Sequence, residues 1–266
     1  MPRTLTDRCS SRPILVTATA SPTWRRPLEW SAEDARRRDV PLVIASVGQP
    51  ADQPVGEAFA AALGVLRKSR PPVRVRVVRV RPDGSDLLRL SGTAGRLVTS
   101  PTGPQAAELV MNAECPVVVV PDREPLPGRQ PVVVFIAPWT AEHVVDAAFR
   151  EAASRRAPLN AIRVRAGRGN AAVGSAARPV DGTAGDGSGR ELEVALSSGT
   201  GRFPGVDVER FVVRGDPEPE IHRWAELAQL VVLGRSVRGV DLARRVGSPI
   251  ADVARGARCP TMVVPG

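Results

Sequence analysis

Short β-branched runs alternate with longer stretches in which apolar residues recur at helical spacing, and the alternation runs twice along the chain. In the second half, residues 132–136 form a mostly β-branched run. The stretch 141–156 then places Val144, Val145, Ala148, Phe149 and Ala152 on one face of a 3.6-residue period, which predicts a helix. Strands are predicted over 159–164, 206–213, 230–233 and 261–264, with helices over 190–198, 218–228 and 249–257 between them. The first half gives strands over 14–18, 42–47, 73–80, 96–99 and 117–120, and helices over 26–38, 56–68 and 105–113. Strands separated by helical crossovers form parallel sheets with right-handed connections. The expectation is therefore two α/β units, each a doubly wound, five-stranded parallel sheet with helices on both faces.

Two pairs of matching peptides make the duplication specific. Cys115-Pro116-Val117-Val118-Val119-Val120-Pro121 returns as Cys259-Pro260-Thr261-Met262-Val263-Val264-Pro265, 144 residues later. Ala35-Arg36-Arg37-Arg38-Asp39-Val40-Pro41-Leu42 returns as Ala152-Ala153-Ser154-Arg155-Arg156-Ala157-Pro158-Leu159, 117 residues later. The two offsets differ by 27, so the second copy carries about that many extra residues. Part of them is the stretch 167–189, rich in Gly, Ala, Asp and Ser, which reads as a flexible insertion. The domains expected are 1–121 and 132–266, joined by a proline-bearing linker over 122–131.

Composition narrows the function classes. The 266-residue chain is long enough for two cores, built here from small aliphatic side chains, since tyrosine is absent. No apolar run reaches the length of a membrane helix, and the first thirteen residues lack the apolar core of a secretory signal. A cytoplasmic protein with no membrane partner is expected. Three cysteines with no close pair suggest neither a disulfide framework nor a zinc site. The net charge of +9 raises nucleic acid as a partner. The arginines are scattered, however, and lack the interleaved aromatic rings on which bases stack. Arg36–Arg38 and Arg155–Arg156 fall near predicted helix C-termini, where cations suit the helix dipole, so they read as solvated helix ends.

The order strand, helix ending in Ala-x-x-Arg-x-x-Pro-Leu, strand, then Phe203-Pro204-Gly205-Val206, Val213-Arg214-Gly215-Asp216-Pro217, Val231-Val232-Leu233-Gly234, Gly247-Ser248 and Cys259-Pro260 resembles a universal stress protein domain. The resemblance covers nearly all of the second repeat and both ends of the first. It implies a tandem, Rossmann-like member with an adenine-nucleotide crevice at the sheet's switch point. In tandem members the two repeats pair internally through their last strands, which makes Val117–Val120 and Thr261–Val264 the expected pairing edges. A homodimer and a protein partner are further expectations of the resemblance.

Nucleotide-binding members carry Gly-x-x-Gly, nine residues, then Gly-Ser/Thr after the fourth strand. Glycines there let the backbone approach phosphates. Gly234, Gly247 and Ser248 match this pattern and are the candidate cofactor-binding residues, but Val237 replaces the middle glycine. Where binding members place an aspartate after the first strand, this chain has Ala137. In the first repeat Ser100 aligns with Gly234 and Gly103 with Gly247, so ten residues of the phosphate loop are missing, and Thr19 or Ala20 stands at the aspartate position. No cofactor is required on this reading, and ATP would bind weakly and only in the C-terminal repeat.

The remaining chemistry is sparse. His143 and His222 have no second histidine or cysteine nearby in sequence, although Asp146, Glu218 and Glu226 lie within helical reach. Glu191, Glu193, Glu218 and Glu220 read as helix-face charges. Cys115 and Cys259 are expected to be buried and inert, whereas Cys9 is the better target for a thiol reagent. Trp24 and Trp139 follow the first strand of each repeat and are expected to cover the sheet edge. No nucleophile, base pair or metal set emerges, so a non-enzymatic stress-response or regulatory protein is expected. The alternatives are an ATP-responsive regulator and a basic nucleic-acid-binding module.

Overall fold

The computed structural model describes residues 12–18, 22–47, 64, 73–103, 105–124, 128–165, 187–235, 253–254 and 256–266. The chain divides into two compact units, Met1–Arg123 and Glu124–Val264. The first contains β1 (Ile14–Ala18), a 3-10 turn (Pro22–Trp24), α1 (Arg25–Arg38), β2 (Leu42–Val47), β3 (Val75–Val80), α2 (Ser85–Ser91), β4 (Arg96–Thr99), α3 (Ala106–Asn112) and β5 (Val117–Val119). The second contains β6 (Val132–Phe135), α4 (Glu142–Arg155), β7 (Leu159–Arg165), α5 (Ser188–Arg202), β8 (Val208–Arg214), α6 (Pro217–Ala225), β9 (Leu230–Gly234) and β10 (Thr261–Val264).

Each unit has the doubly wound order. The first runs β3-β2-β1-β4-β5 and the second β8-β7-β6-β9-β10, with parallel pairing throughout each. Strand register fixes which residues correspond. Ile14 faces Leu42 and Arg96, as Val132 faces Leu159 and Leu230. Leu97 faces Val117, as Val231 faces Thr261. The repeated Ala-x-x-Arg-x-x-Pro-Leu peptide has a structural reason. α1 and α4 both end in a non-glycine left-handed cap, Asp39 at φ 53° and Arg156 at φ 51°. The following amides, Val40 and Ala157, donate to Ala35 O and Ala152 O at 3.0 Å, and proline then leads into β2 or β7.

The strand interiors are apolar on both faces, as a sheet covered twice requires. In the second unit, Val133, Ile162, Phe211, Val213, Val231 and Leu233 pack against Ile221 and Trp224 of α6 and against Val253. The opposite face is covered by α4 and α5, where Phe149 stacks on Phe203 with ring centroids 5.9 Å apart. α5 passes so near this pair that a β-carbon at Gly199 would lie 2.2 Å from the Phe149 ring.

Three sequence expectations are corrected. A further helix, α2, lies between β3 and β4, where the sequence reading gives none. Just before its Gly84 N-cap, the Asp83 carboxylate accepts from the Ser85 amide and hydroxyl. α5 begins at Ser188, so Ser188 and Gly189 belong to a helix and not to the Gly-rich insertion. The arginines near the ends of α1 and α4 are not simply solvated. Fully buried Asp34 receives Arg37 at 3.0 Å, Arg38 at 3.1 Å and, from β4, Arg96 at 2.9 Å. The Arg96 guanidinium also lies over the Trp30 ring. Buried Glu151, at the position matching Asp34, pairs with Arg155 at 3.2 Å. Arg36 and Arg156 alone of these arginines are exposed.

Candidate functional site

In a doubly wound sheet, ligands bind beyond the carboxyl ends of the strands where the strand order reverses. That point lies between β1 and β4 in the first unit and between β6 and β9 in the second.

In the first unit the strand ends are hydroxyl-lined and joined to each other. Thr17 on β1 and Thr99 on β4 lie in the same row, both buried, and the Thr17 hydroxyl donates to Thr99 Oγ1 at 3.0 Å. Ser100 follows, and the Gly103 amide donates back to Ser100 O at 3.0 Å. The turn sits directly on the strand end: a β-carbon at Gly103 would lie 2.6 Å from Thr99 Oγ1 and 3.1 Å from Ser100 O. Ala106 donates to Gly103 O at 3.2 Å, so α3 follows at once. The short connection leaves the turn, and not a long loop, over the switch point. Thr19 and Ala20 lie outside the described residues.

In the second unit the corresponding row is apolar. Register equates Thr17 with Phe135 and Thr99 with Leu233, and both of these belong to the core on the α6 face. Beyond β6 the chain closes on itself: the Ala137 amide donates to Thr140 Oγ1 at 2.8 Å, and the Thr140 amide donates to Ala137 O at 3.0 Å. The methyl side chain of Ala137 offers no acceptor to an adenine. Gly234 ends β9, and its α-carbon faces Val144 of α4, whose Cγ2 would lie 3.2 Å from an added β-carbon. The Arg235 amide donates to Val264 O at 2.7 Å, which fixes the direction in which the chain leaves the strand. Val237, Gly247 and Ser248 lie outside the described residues, so of the three candidate binding residues only Gly234 is placed.

The other sequence candidates are dispersed. The Asp146 carboxylate takes Arg202 at 2.6 Å, and Glu226 takes Arg258 at 3.5 Å, so both have structural partners. His222 packs against Gly256, with its Cε1 2.8 Å from where a β-carbon would stand. Glu191 pairs with Arg163 across to β7, and Glu220 with Arg223 along α6. Cys115 and Cys259 are buried free thiols, and burial pushes the Cys259 thiol up to about 12, which leaves it protonated and unreactive. Cys9 lies outside the described residues. Trp24 is buried, but Trp139 stands 42% exposed in the turn after β6, so the two are not matching covers. Among the described residues no group of three His, Cys, Asp or Glu side chains could hold a metal ion. No helix among them is long and apolar enough to cross a membrane.

The strand order and the repeated cap define a tandem Rossmann-like α/β protein. The chain belongs to the universal stress protein family, whose model matches residues 128–265. A universal stress protein of Mycobacterium tuberculosis strain H37Rv, Rv2623, is 28% identical over 297 residues, covering 96% of each chain. A universal stress protein of Mycolicibacterium smegmatis is 33% identical over 178 residues, covering 65% of this chain and 58% of that one. Among solved structures, a universal stress protein from Archaeoglobus fulgidus superposes with a TM-score of 0.64 at 14% identity, covering 97% of each chain. This last likeness concerns the fold alone.

Proposed function

We propose that this chain is a non-enzymatic stress-response protein in which adenine-nucleotide binding is weak in the C-terminal unit and absent from the N-terminal one. The observation that supports this most is the state of the strand ends. In the first unit the Thr17–Thr99 hydroxyl pair and the Gly103 turn occupy the switch point. In the second, Ala137 contributes no carboxylate, and its amide is held by Thr140. A nucleotide would find its polar contacts already satisfied within the chain, and each lost hydrogen bond costs about 1–3 kcal/mol.

The test is a thermal melt with and without millimolar ATP-Mg, together with a search for nucleotide released on denaturation. The expected result is no released nucleotide and no shift of several degrees. A ligand at a hundred times its dissociation constant adds roughly 2.7 kcal/mol and would move the midpoint visibly. Such a shift would favour the second reading, an ATP-responsive regulator. Gly234 supports that reading, because it keeps the strand end bare where the first unit has Ser100. On this reading Gly247→Leu abolishes the shift.

A further inference from the structure

The last backbone groups of β6 find partners that a continuing sheet would not give them. In the parallel ladders of the second unit an amide donates to the residue just before its register partner. Val132 N reaches Pro158 O at 2.9 Å and Ile136 N reaches Ile162 O at 2.8 Å, both on the β7 side. On the other side of the sheet, Val231 N reaches Pro260 O at 3.0 Å and Arg235 N reaches Val264 O at 2.7 Å, both on the β10 side. Successive residues of a strand present their backbone groups to alternate neighbours. Val133, Phe135 and Ala137 therefore turn theirs toward β9.

The β6–β9 register sets Val134 beside Val232. Continued by three places, it sets Ala137 beside Arg235 and aims the Ala137 amide at Gly234 O. The chain makes a different bond. The Ala137 amide donates to Thr140 Oγ1 at 2.8 Å, and Ala137 O accepts from the Thr140 amide at 3.0 Å. Thr140 thus supplies both the acceptor and the donor that the next residues of β9 would have supplied. This happens at the switch point, on the β9 side of β6, where the doubly wound order opens a crevice. The helix that follows does not need the Thr140 hydroxyl. The N-cap of α4 is Ala141, and no side chain caps that helix. Ala137 and Thr140 are each only partly buried, so solvent and solutes can reach the contact.

We infer, on the reading that the C-terminal crevice takes adenine nucleotide weakly, that the Thr140 hydroxyl is a built-in competitor which sets that affinity. It holds the one β6 amide that the parted strands leave for a ligand oxygen or ring nitrogen. A nucleotide that accepts from Ala137 N must first break the internal bond. Thr140→Val keeps the β-branched shape and removes the acceptor, so the amide then faces water, which a ligand displaces at lower cost. Thr140→Ser keeps the acceptor and the competition.

The experiment titrates ATP-Mg into the full chain by calorimetry, with the backbone amide of Ala137 followed by nuclear magnetic resonance. Thr140→Val and Thr140→Ala are expected to bind ATP about two- to tenfold more tightly than the parent, the worth of one internal hydrogen bond. Thr140→Ser is expected to match the parent. The Ala137 amide resonance should move on addition of ATP, and further in Thr140→Val at equal ATP concentration. Two variants that remove the hydroxyl are used so that a packing fault in one, seen as a lowered unliganded melting point, does not decide the outcome. Affinity unchanged in both overturns the inference, and so does the absence of ATP binding in both. A gain in affinity with the Ala137 resonance unmoved also overturns it. Tight binding by the parent protein refutes the weak-binding reading instead, and Thr140 is then still judged by the ratio between parent and variants.

Discussion

The two units share strand order, register and left-handed helix caps, and each buries a carboxylate at the same place on its first long helix, Asp34 in one and Glu151 in the other, yet they surround it differently. The first unit buries a carboxylate at the amino end of β4, where Asp34 gathers three arginines from α1 and β4. The second unit has Leu230 where the first has Arg96, so no arginine reaches Glu151 from that strand position, and Arg155 of the same helix pairs with it. The strand ends differ in the same sense, with a hydroxyl pair in one and Phe135 with Leu233 in the other. The difference teaches that apolar register carries this fold. The partners of a buried carboxylate can change, from arginines on helix and strand to one on its own helix, while the carboxylate stays where it is.

The sharpest way to break the comparison is to remove the buried carboxylate. Asp34→Ala leaves Arg96 buried without its counter-charge, and about 3–5 kcal/mol of stability is expected to be lost from the first unit. Importing the second unit's residue, as Asp34→Ala with Arg96→Leu, should recover much of that loss. Denaturant midpoints of the single and double variants measure both. Next in size is Gly199→Ala in the second unit, which drives a methyl into the Phe149 ring and should cost about 1–3 kcal/mol, read as a lowered midpoint in the same assay. The smallest effect concerns the hydroxyl pair. Thr17→Val leaves the Thr99 hydroxyl without its donor and should cost about 1 kcal/mol, while Thr17→Val with Thr99→Val restores an apolar row and should lie close to the parent protein.

Much of the architecture was legible because it rests on local signals. The β-branched runs mark the strands, and the Ala-x-x-Arg-x-x-Pro-Leu peptide encodes a cap whose hydrogen bonds span only five residues. Gly234 could be named because it lies at a strand end within a recognisable order of motifs. What escaped the sequence depends on distant residues meeting. Nothing near Arg36–Arg38 announces that Arg96, about sixty residues on, will share Asp34 with two of them. The facing of Arg165 and Arg214 likewise follows from the β7–β8 register, which the intervening 48 residues conceal. α2 was missed for the opposite reason: its start is marked only by local turn chemistry, Asp83 bonded to Ser85 around a Gly84 N-cap.

Trp139 gives the protein an optical property of its own. Trp24 and Trp224 are buried in separate units and Trp30 is partly covered by Arg96, whereas Trp139 projects from the turn that closes β6. Its indole is therefore the one most open to a dissolved quencher such as iodide or acrylamide, and its emission should lie to the red of the buried pair. That turn follows β6 directly, at the carboxyl end of a strand that flanks the switch point, so an occupant resting on it would shield the indole or alter its colour. The unlabelled chain thus contains a built-in fluorophore beside the strand end where a nucleotide would have to sit.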